Sequence, residues 1–271
     1  KDQVGFAKDE TLLLSATNVQ DKQTEIAKLD LSSNKVSKVL SGKKRYDVVK
    51  KAKNADKYLF TAQTYQQFPD YYQTDFSFKK PQRVTNLNPQ ISNFAWGEKP
   101  ELISYKGFDG EDLQGVLIKP AGYKKGDKVP VVVYFYRYMS QRMYDFPKME
   151  LNHRPNFPMF TSNGYAIFLP DIRFEIGHPG KSSTQTMINA TQKLIDLGIA
   201  DPDKIGLQGH SWAGYQSAFM ITQTDMFKAV VSGAPVSNMT SAYSGIRLKS
   251  GLARQFQYET GQSRIGKTLF E

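Results

Sequence analysis

The hydrophobic pattern of this chain changes its period near residue 95, and few folds accommodate that change. Upstream, apolar residues fall in short runs at residues 11–16, 25–31, 36–40, 57–64 and 74–78, none with helical spacing. In the second run Ala27, Leu29 and Leu31 alternate with Lys28 and Asp30, the pattern of a sheet with one buried and one wet face. Turn formers such as Ser32, Ser33 and Asn34 separate the runs. From Trp96 onward strands alternate with helices: strands are expected at 115–118, 129–136, 165–169 and 204–208, and a helix at 184–197. Val131, Val132 and Val133, and again Ala166, Ile167, Phe168 and Leu169, form continuous apolar runs, as parallel strands covered by helices on both faces require. Met187, Ala190 or Thr191, and Leu194 mark one apolar helical stripe, which Gly198 is placed to end.

A weak internal repeat sits in the first part. One constant offset carries Asp9 onto Asp56, Leu13 onto Phe60, Leu29 onto Phe76 and Leu31 onto Phe78, a period of about 47 residues. A propeller blade is a four-stranded sheet of about that length, and at least four blades close a ring, so further blades are expected upstream. An unrelated β-meander is the competing reading. The expected domains are residues 1–95, the C-terminal blades of a partial β-propeller, and residues 96–271, an α/β domain.

Bulk properties exclude several function classes. With 271 residues and 39% of them hydrophobic, the chain can bury one sizeable core or two modest ones. No apolar run approaches the roughly 20 residues of a membrane span, and Lys1, Asp2 and Gln3 resemble neither a signal peptide nor a natural start, so an excised piece is expected. There is no cysteine, and His153, His178 and His210 are the only histidines, so neither a disulfide, a metal nor a cofactor is expected. The absence of cysteine leaves the compartment unfixed, with a periplasmic or secreted location somewhat favoured over the cytoplasm. The net charge of +10 is spread over short clusters such as Lys43, Lys44 and Arg45 or Lys124 and Lys125, beside turns and away from stacking aromatics. That is the signature of solvated surface rather than of a nucleic-acid partner. A homo-oligomer stays open.

The chemistry concentrates at Gly209, His210, Ser211, Trp212, Ala213 and Gly214, which follow a strand and precede a helix-like stretch at 216–222. A serine among small residues at a strand-to-helix junction is the pattern of a nucleophile elbow. The turn forces the serine into strained backbone geometry that neighbouring side chains would obstruct, so Gly209 and a small residue at 213 have a steric reason. In the strict Gly-x-Ser-x-Gly pattern residue 213 is glycine; here it is Ala213, followed by Gly214. The fold class this implies is an α/β hydrolase with an incomplete, mostly parallel sheet, preceded by all-β blades.

Residues 209–215, together with Phe227, Lys228, Ala229, Val230, Val231, Ser232, Gly233, Ala234, Pro235, Val236 and Ser237, resemble the prolyl oligopeptidase family of serine peptidases. Asp109 and Gly110 with residues 113–120, then 128–136, and then Asp171, Ile172 and Arg173 agree with it, and the family carries a propeller before its hydrolase domain. Within the family the likeness is to dipeptidyl-peptidase-like bacterial members. It implies an oligopeptide substrate, Ser211 as nucleophile, the Trp212 backbone N–H and the Tyr136 hydroxyl as oxyanion donors, and Val236 and Tyr243 lining the substrate pocket. The match could slip from Tyr136 to Tyr134, which reads as core, or to Tyr138, which reads as loop lining.

In α/β hydrolases the order is serine, acid, histidine. After Ser211 come Asp225, Glu259 and Glu271 but no histidine, so the chain is expected to lack the triad Asp and His and to be nearly inactive by itself. A sheet missing its last strands is expected to leave an exposed edge. Arg254, Arg264 and the stretch 262–266 could meet substrate carboxylates or simply make surface salt bridges. Two further readings remain: a carboxylesterase or other acyl hydrolase using the same elbow, and a non-catalytic propeller-based binding protein.

Overall fold

The computed structural model describes residues 5–271, so Lys1, Asp2 and Gln3 lie outside the described residues. The chain divides into two compact units, one comprising the residues up to Phe94 with Gln141–Pro147, the other Ala95–Ser140 with Lys148–Glu271.

In the first unit, strands β1 (Thr11–Thr17), β2 (Thr24–Asp30) and β3 (Lys35–Gly42) form one antiparallel sheet. Strands β4 (Arg45–Lys51), β5 (Tyr58–Thr64), β6 (Gln67–Thr74) and the short β7 (Gln82–Arg83) form a second. The internal offset carries β1 onto β5 from end to end. Ile26, Tyr58, Phe60, Ala62 and Phe78 gather residues of both sheets into one buried cluster, with the Phe60 and Tyr72 rings stacked at 5.4 Å. Thr24 joins the sheets, donating through Oγ1 to the Lys44 carbonyl at 3.0 Å and accepting from the Tyr46 N–H at 2.7 Å.

Two expectations fail in this unit. Ile26 and Ala27 of β2 are both buried while Leu29 and Leu31 are only half-buried, because a register irregularity between Ile26 and Ala27 in the β2–β3 pairing breaks the expected alternation of Ala27, Leu29 and Leu31. Of the strand expected at 74–78 only Thr74 is in a strand, as the last residue of β6: Asp75 Oδ1 accepts from the Ser77 N–H at 2.8 Å and closes a turn, and Phe78, at φ 57°, drops its ring into the core.

In the second unit the sheet order is β13–β12–β10–β11–β9–β8, built from β8 (Glu101–Lys106), β9 (Asp112–Ile118), β10 (Val129–Phe135), β11 (Ala166–Pro170), β12 (Ala200–His210) and β13 (Ala229–Gly233). Strands β11, β10, β12 and β13 run parallel, and β9 and β8 are added antiparallel. The sheet lies between helices that include α1 (Phe157–Ser162), α2 (Pro179–Asp196) and α3 (Trp212–Met220). Val133, Ala166, Ile167 and Phe168 are fully buried, as their apolar runs require. The stripe Met187, Ala190, Thr191 and Leu194 is equally buried, and Gly198, at φ 71°, ends α2 with its N–H on the Ile195 carbonyl. Helix α2 starts at Pro179, a turn before the expected position, and β12 starts at Ala200 rather than 204. Beyond β13 lie α4 (Met239–Tyr243), the hairpin strands β14 (Ile246–Arg247) and β15 (Leu252–Ala253), and α5 (Gln255–Glu259).

Candidate active site

Strand β12 ends at His210 and α3 begins at Trp212, so Ser211 makes the whole turn between them. Its backbone sits at φ 60° and ψ −118°, a combination disfavoured for any residue with a Cβ. Two hydrogen bonds hold it there: the Ser211 N–H donates to the Gly233 carbonyl at 2.8 Å, and the Ser211 carbonyl accepts from the Tyr215 N–H at 3.0 Å. A Cβ on residue 209 would lie 2.2 Å from the Ala213 carbonyl oxygen and 2.4 Å from Ser217 Oγ. A Cβ on residue 214 would lie 2.4 Å from the Gly233 carbonyl oxygen. The steric demand therefore falls on 209 and 214. Residue 213 tolerates a methyl, fully buried, which is why the motif departs from the strict pattern there. The Ser211 hydroxyl makes no capping bond to α3.

Trp212 heads α3, and the leading N–H groups of a helix have no intrahelical acceptor, so this position offers a backbone donor beside Ser211. Its indole is buried, stacked on Tyr215 at 4.8 Å and edge-on to Phe174 at 6.3 Å, with Nε1 unpartnered among the described residues.

Tyr136 follows β10, half-buried against the core, and its hydroxyl oxygen accepts from Gln262 Nε2. Tyr134 is buried with its ring 5.9 Å from Phe157, a core position. Tyr138 is exposed, with the Arg137 guanidinium 4.7 Å above its ring. The loop that carries Tyr136 is pinned by Asp171. The buried carboxylate of Asp171 accepts from the Met139 N–H at 2.5 Å, the Ser140 N–H at 2.7 Å and Ser140 Oγ at 2.6 Å. The next residue, Ile172, donates its N–H to the Arg137 carbonyl at 2.6 Å. Tyr105 donates to the Asp171 carbonyl at 2.7 Å, and burial raises its phenol pKa well above the ordinary value. Sequence reading singled out Asp171, Ile172 and Arg173 by their resemblance but missed Asp171 as the anchor of the Tyr136 loop, and it missed Gln262 as the partner of Tyr136.

Val236 lies half-buried in the loop after β13, beyond Ala234 at φ 41°. Tyr243 ends α4, and its hydroxyl donates to Glu259 of α5; that hydrogen bond pushes the Tyr243 pKa up. Neither residue is hydrogen-bonded to Ser211. His210 stacks on His153 at 4.2 Å, and burial, His210 and Arg154 together hold the His153 pKa below the ordinary imidazole value. His178 occupies the position before α2. No histidine or carboxylate among the described residues is hydrogen-bonded to Ser211. Nor do three or more His, Asp or Glu gather there as a metal-ligand set. No helix among the described residues is long and apolar enough to cross a membrane.

Comparison with known proteins bears on these features. Residues 152–263, which span α1 to the strap carrying Gln262, match the model of the prolyl oligopeptidase family. Dipeptidyl peptidase 8 of Mus musculus is 26% identical over 156 residues, 51% of this chain and 17% of that protein. Uncharacterized peptidase YuxL of Bacillus subtilis is 25% identical over 179 residues, 60% of this chain and 26% of that protein. Among solved structures, Porphyromonas gingivalis dipeptidyl peptidase 4 superposes with a TM-score of 0.72 at 16% identity, over 96% of this chain and 38% of its own. The described fold is thus an α/β-hydrolase domain with preceding β-propeller blades. The matched segments span about a sixth and a quarter of the length of these two curated relatives.

Proposed function

We propose, from the premise that residues 152–263 belong to the prolyl oligopeptidase family, that the protein is a serine peptidase acting on oligopeptides with Ser211 as its nucleophile. The observation that carries the proposal is the strained Ser211 backbone, at φ 60° and ψ −118°, held between positions 209 and 214 where no Cβ fits. Such a turn lifts the hydroxyl clear of the sheet and sets the N–H of the next residue beside it. Ser211 Oγ attacks the scissile carbonyl carbon and loses its proton to a general base. Collapse of the tetrahedral intermediate breaks the C–N bond, returns that proton to the leaving amine and leaves an acyl ester on Ser211, which water then hydrolyses. The Trp212 N–H and the Tyr136 hydroxyl donate to the oxyanion. Because the Tyr136 oxygen accepts from Gln262, its own hydrogen remains available for that donation.

The base and its acid are taken to come from outside the described residues, since none of these pairs with Ser211. Residues 1–271 alone are therefore expected to hydrolyse peptides very slowly. The test is intact mass of the full-length protein after treatment with a fluorophosphonate, beside Ser211→Ala, followed by peptide-library cleavage. One adduct, absent from Ser211→Ala, with Ser211-dependent peptide cleavage is the expected result. No adduct on folded protein, or cleavage of esters but of no peptide, sinks the reading. Tyr136→Phe is expected to lower kcat by roughly 100- to 1000-fold while the adduct site stays Ser211.

A further inference from the structure

Arg137, Arg173 and Arg264 of the second unit are not treated alike. Arg173 has two carboxylate partners, Asp109 and Glu111. Arg137 and Arg264 have none: no carboxylate lies within 4 Å of either guanidinium among the described residues. Both are nonetheless held in place. Arg137 lies 4.7 Å over the Tyr138 ring, and its carbonyl takes the Ile172 N–H. Arg264 lies 5.5 Å over the Phe174 ring, and its Nη1 donates to the Gln262 carbonyl at 3.0 Å.

Contacts tie both arginines to the donors proposed for the oxyanion. Arg137 directly follows Tyr136. Arg264 belongs to a strap whose Gln262 side chain donates to the Tyr136 hydroxyl and whose Arg264 carbonyl accepts from the Gly177 N–H at 2.9 Å. The Phe174 ring beneath Arg264 also meets the Trp212 indole, one residue from Ser211. The two cations sense each other: burial, and then the charge of Arg137, hold the Arg264 guanidinium below the ordinary arginine value. Two neighbouring guanidiniums with no carboxylate partner among the described residues, linked through Gln262 to Tyr136 and through Phe174 to Trp212, leave positive charge uncompensated, and a planar guanidinium pairs well with a carboxylate.

We propose that Arg137 and Arg264 form a carboxylate-binding subsite that selects peptides with an acidic group beside the bond to be cut. The inference rests on the peptidase reading and adds the substrate class to it. The carboxylate can come from an Asp or Glu side chain or from the peptide's free C-terminus.

The test uses the full-length protein and pairs of peptides that differ only by Glu or Gln at each position flanking the scissile bond, all amidated at the C-terminus. A third set carries Gln and a free C-terminal carboxylate. The expected result is a kcat/KM ratio of roughly 10- to 100-fold in favour of Glu at one position, expressed in KM. A gain seen only in the third set assigns the carboxylate to the peptide terminus. Arg264→Gln brings the ratio towards one, and Arg264→Lys restores part of it, because a lysine keeps the charge without the fork. Should Arg264→Gln disturb the strap and fail to fold, Arg137→Gln, at an exposed position, gives the same reading. Equal cleavage of Glu, Gln and free-terminus peptides by the wild type, or a ratio unmoved in both variants, overturns the subsite and leaves the peptidase reading standing. Cleavage of no peptide at all overturns both.

Discussion

Ser211 holds a backbone conformation that costs a residue with a Cβ about 1–3 kcal/mol, and its neighbours offset that cost. The Ser211 N–H is tied to the Gly233 carbonyl, Ser217 Oγ bonds the Ala213 carbonyl at 2.6 Å, and Ser232 Oγ bonds the Gly214 carbonyl at 2.7 Å, so both sides of the turn are fastened. The space is so tight that the three small residues of the motif are not equivalent. Gly209→Ala would press a methyl into the Ala213 carbonyl and Ser217 Oγ at distances no real Cβ adopts. It is expected to lower stability by about 3 kcal/mol and to abolish fluorophosphonate labelling. Ala213→Gly, which restores the strict motif, removes a buried methyl from a helix and is expected to cost about 1 kcal/mol while labelling persists. Chemical denaturation and labelling of the two variants check this; equal loss in both would mean that the turn is looser than its contacts imply.

At the scale of elements, the sequence was legible where one periodicity ran unopposed. The parallel strands β10 and β11 and the apolar stripe of α2 emerged from their patterns because burial on both faces of the sheet, or along one stripe, leaves no second solution, whereas β13, part-exposed at the edge, did not. The first turn of α2 was not legible, because Gly180, Ser182 and Ser183 are poor helix formers and the helical pattern starts only at Thr184. In the fold their hydroxyls bond back to the helix, Ser182 Oγ to the His178 carbonyl and Thr184 Oγ1 to that of Gly180, both at 2.8 Å. Strand β6 was hidden in a similar way by Pro69 and its polar residues. The elbow could be read because its small residues are adjacent in the chain, whereas Gln262 on Tyr136 and Asp171 on residues 139–140 are contacts between distant segments that leave no local signature. Asp171 is the clearest case. Asp171→Ala would strand two buried N–H groups and a buried hydroxyl. A loss of about 3 kcal/mol or more is expected, with faster amide exchange at Met139 and Ser140. Unchanged exchange there would show that Asp171 does not hold the Tyr136 loop.

At the scale of the whole molecule, each unit encloses its own apolar cluster, and the sheet of the second unit has β13 at one edge and β8 at the other among the described residues. Strand β11 is buried along its whole length, whereas β13 pairs with β12 alone among the described residues, leaves Ala229 exposed and shows Val231 at 55% exposure. A free strand edge presents unpaired N–H and C=O groups as a template for another chain, and an apolar side chain beside it adds an attractive surface. Residues 1–271 produced by themselves are therefore expected to self-associate, with an apparent mass that rises with concentration in sedimentation or light scattering. Val231→Lys places a charge on that strand without touching the turn at Ser211, and it should lower the association while the far-ultraviolet circular dichroism stays the same. If the unsubstituted chain remains a monomer at every accessible concentration, β13 is already shielded and the open-edge reading fails. If both chains associate equally, the contact is made elsewhere, and the exposed apolar hairpin residues Ile246, Leu248 and Leu252 are the next positions to change.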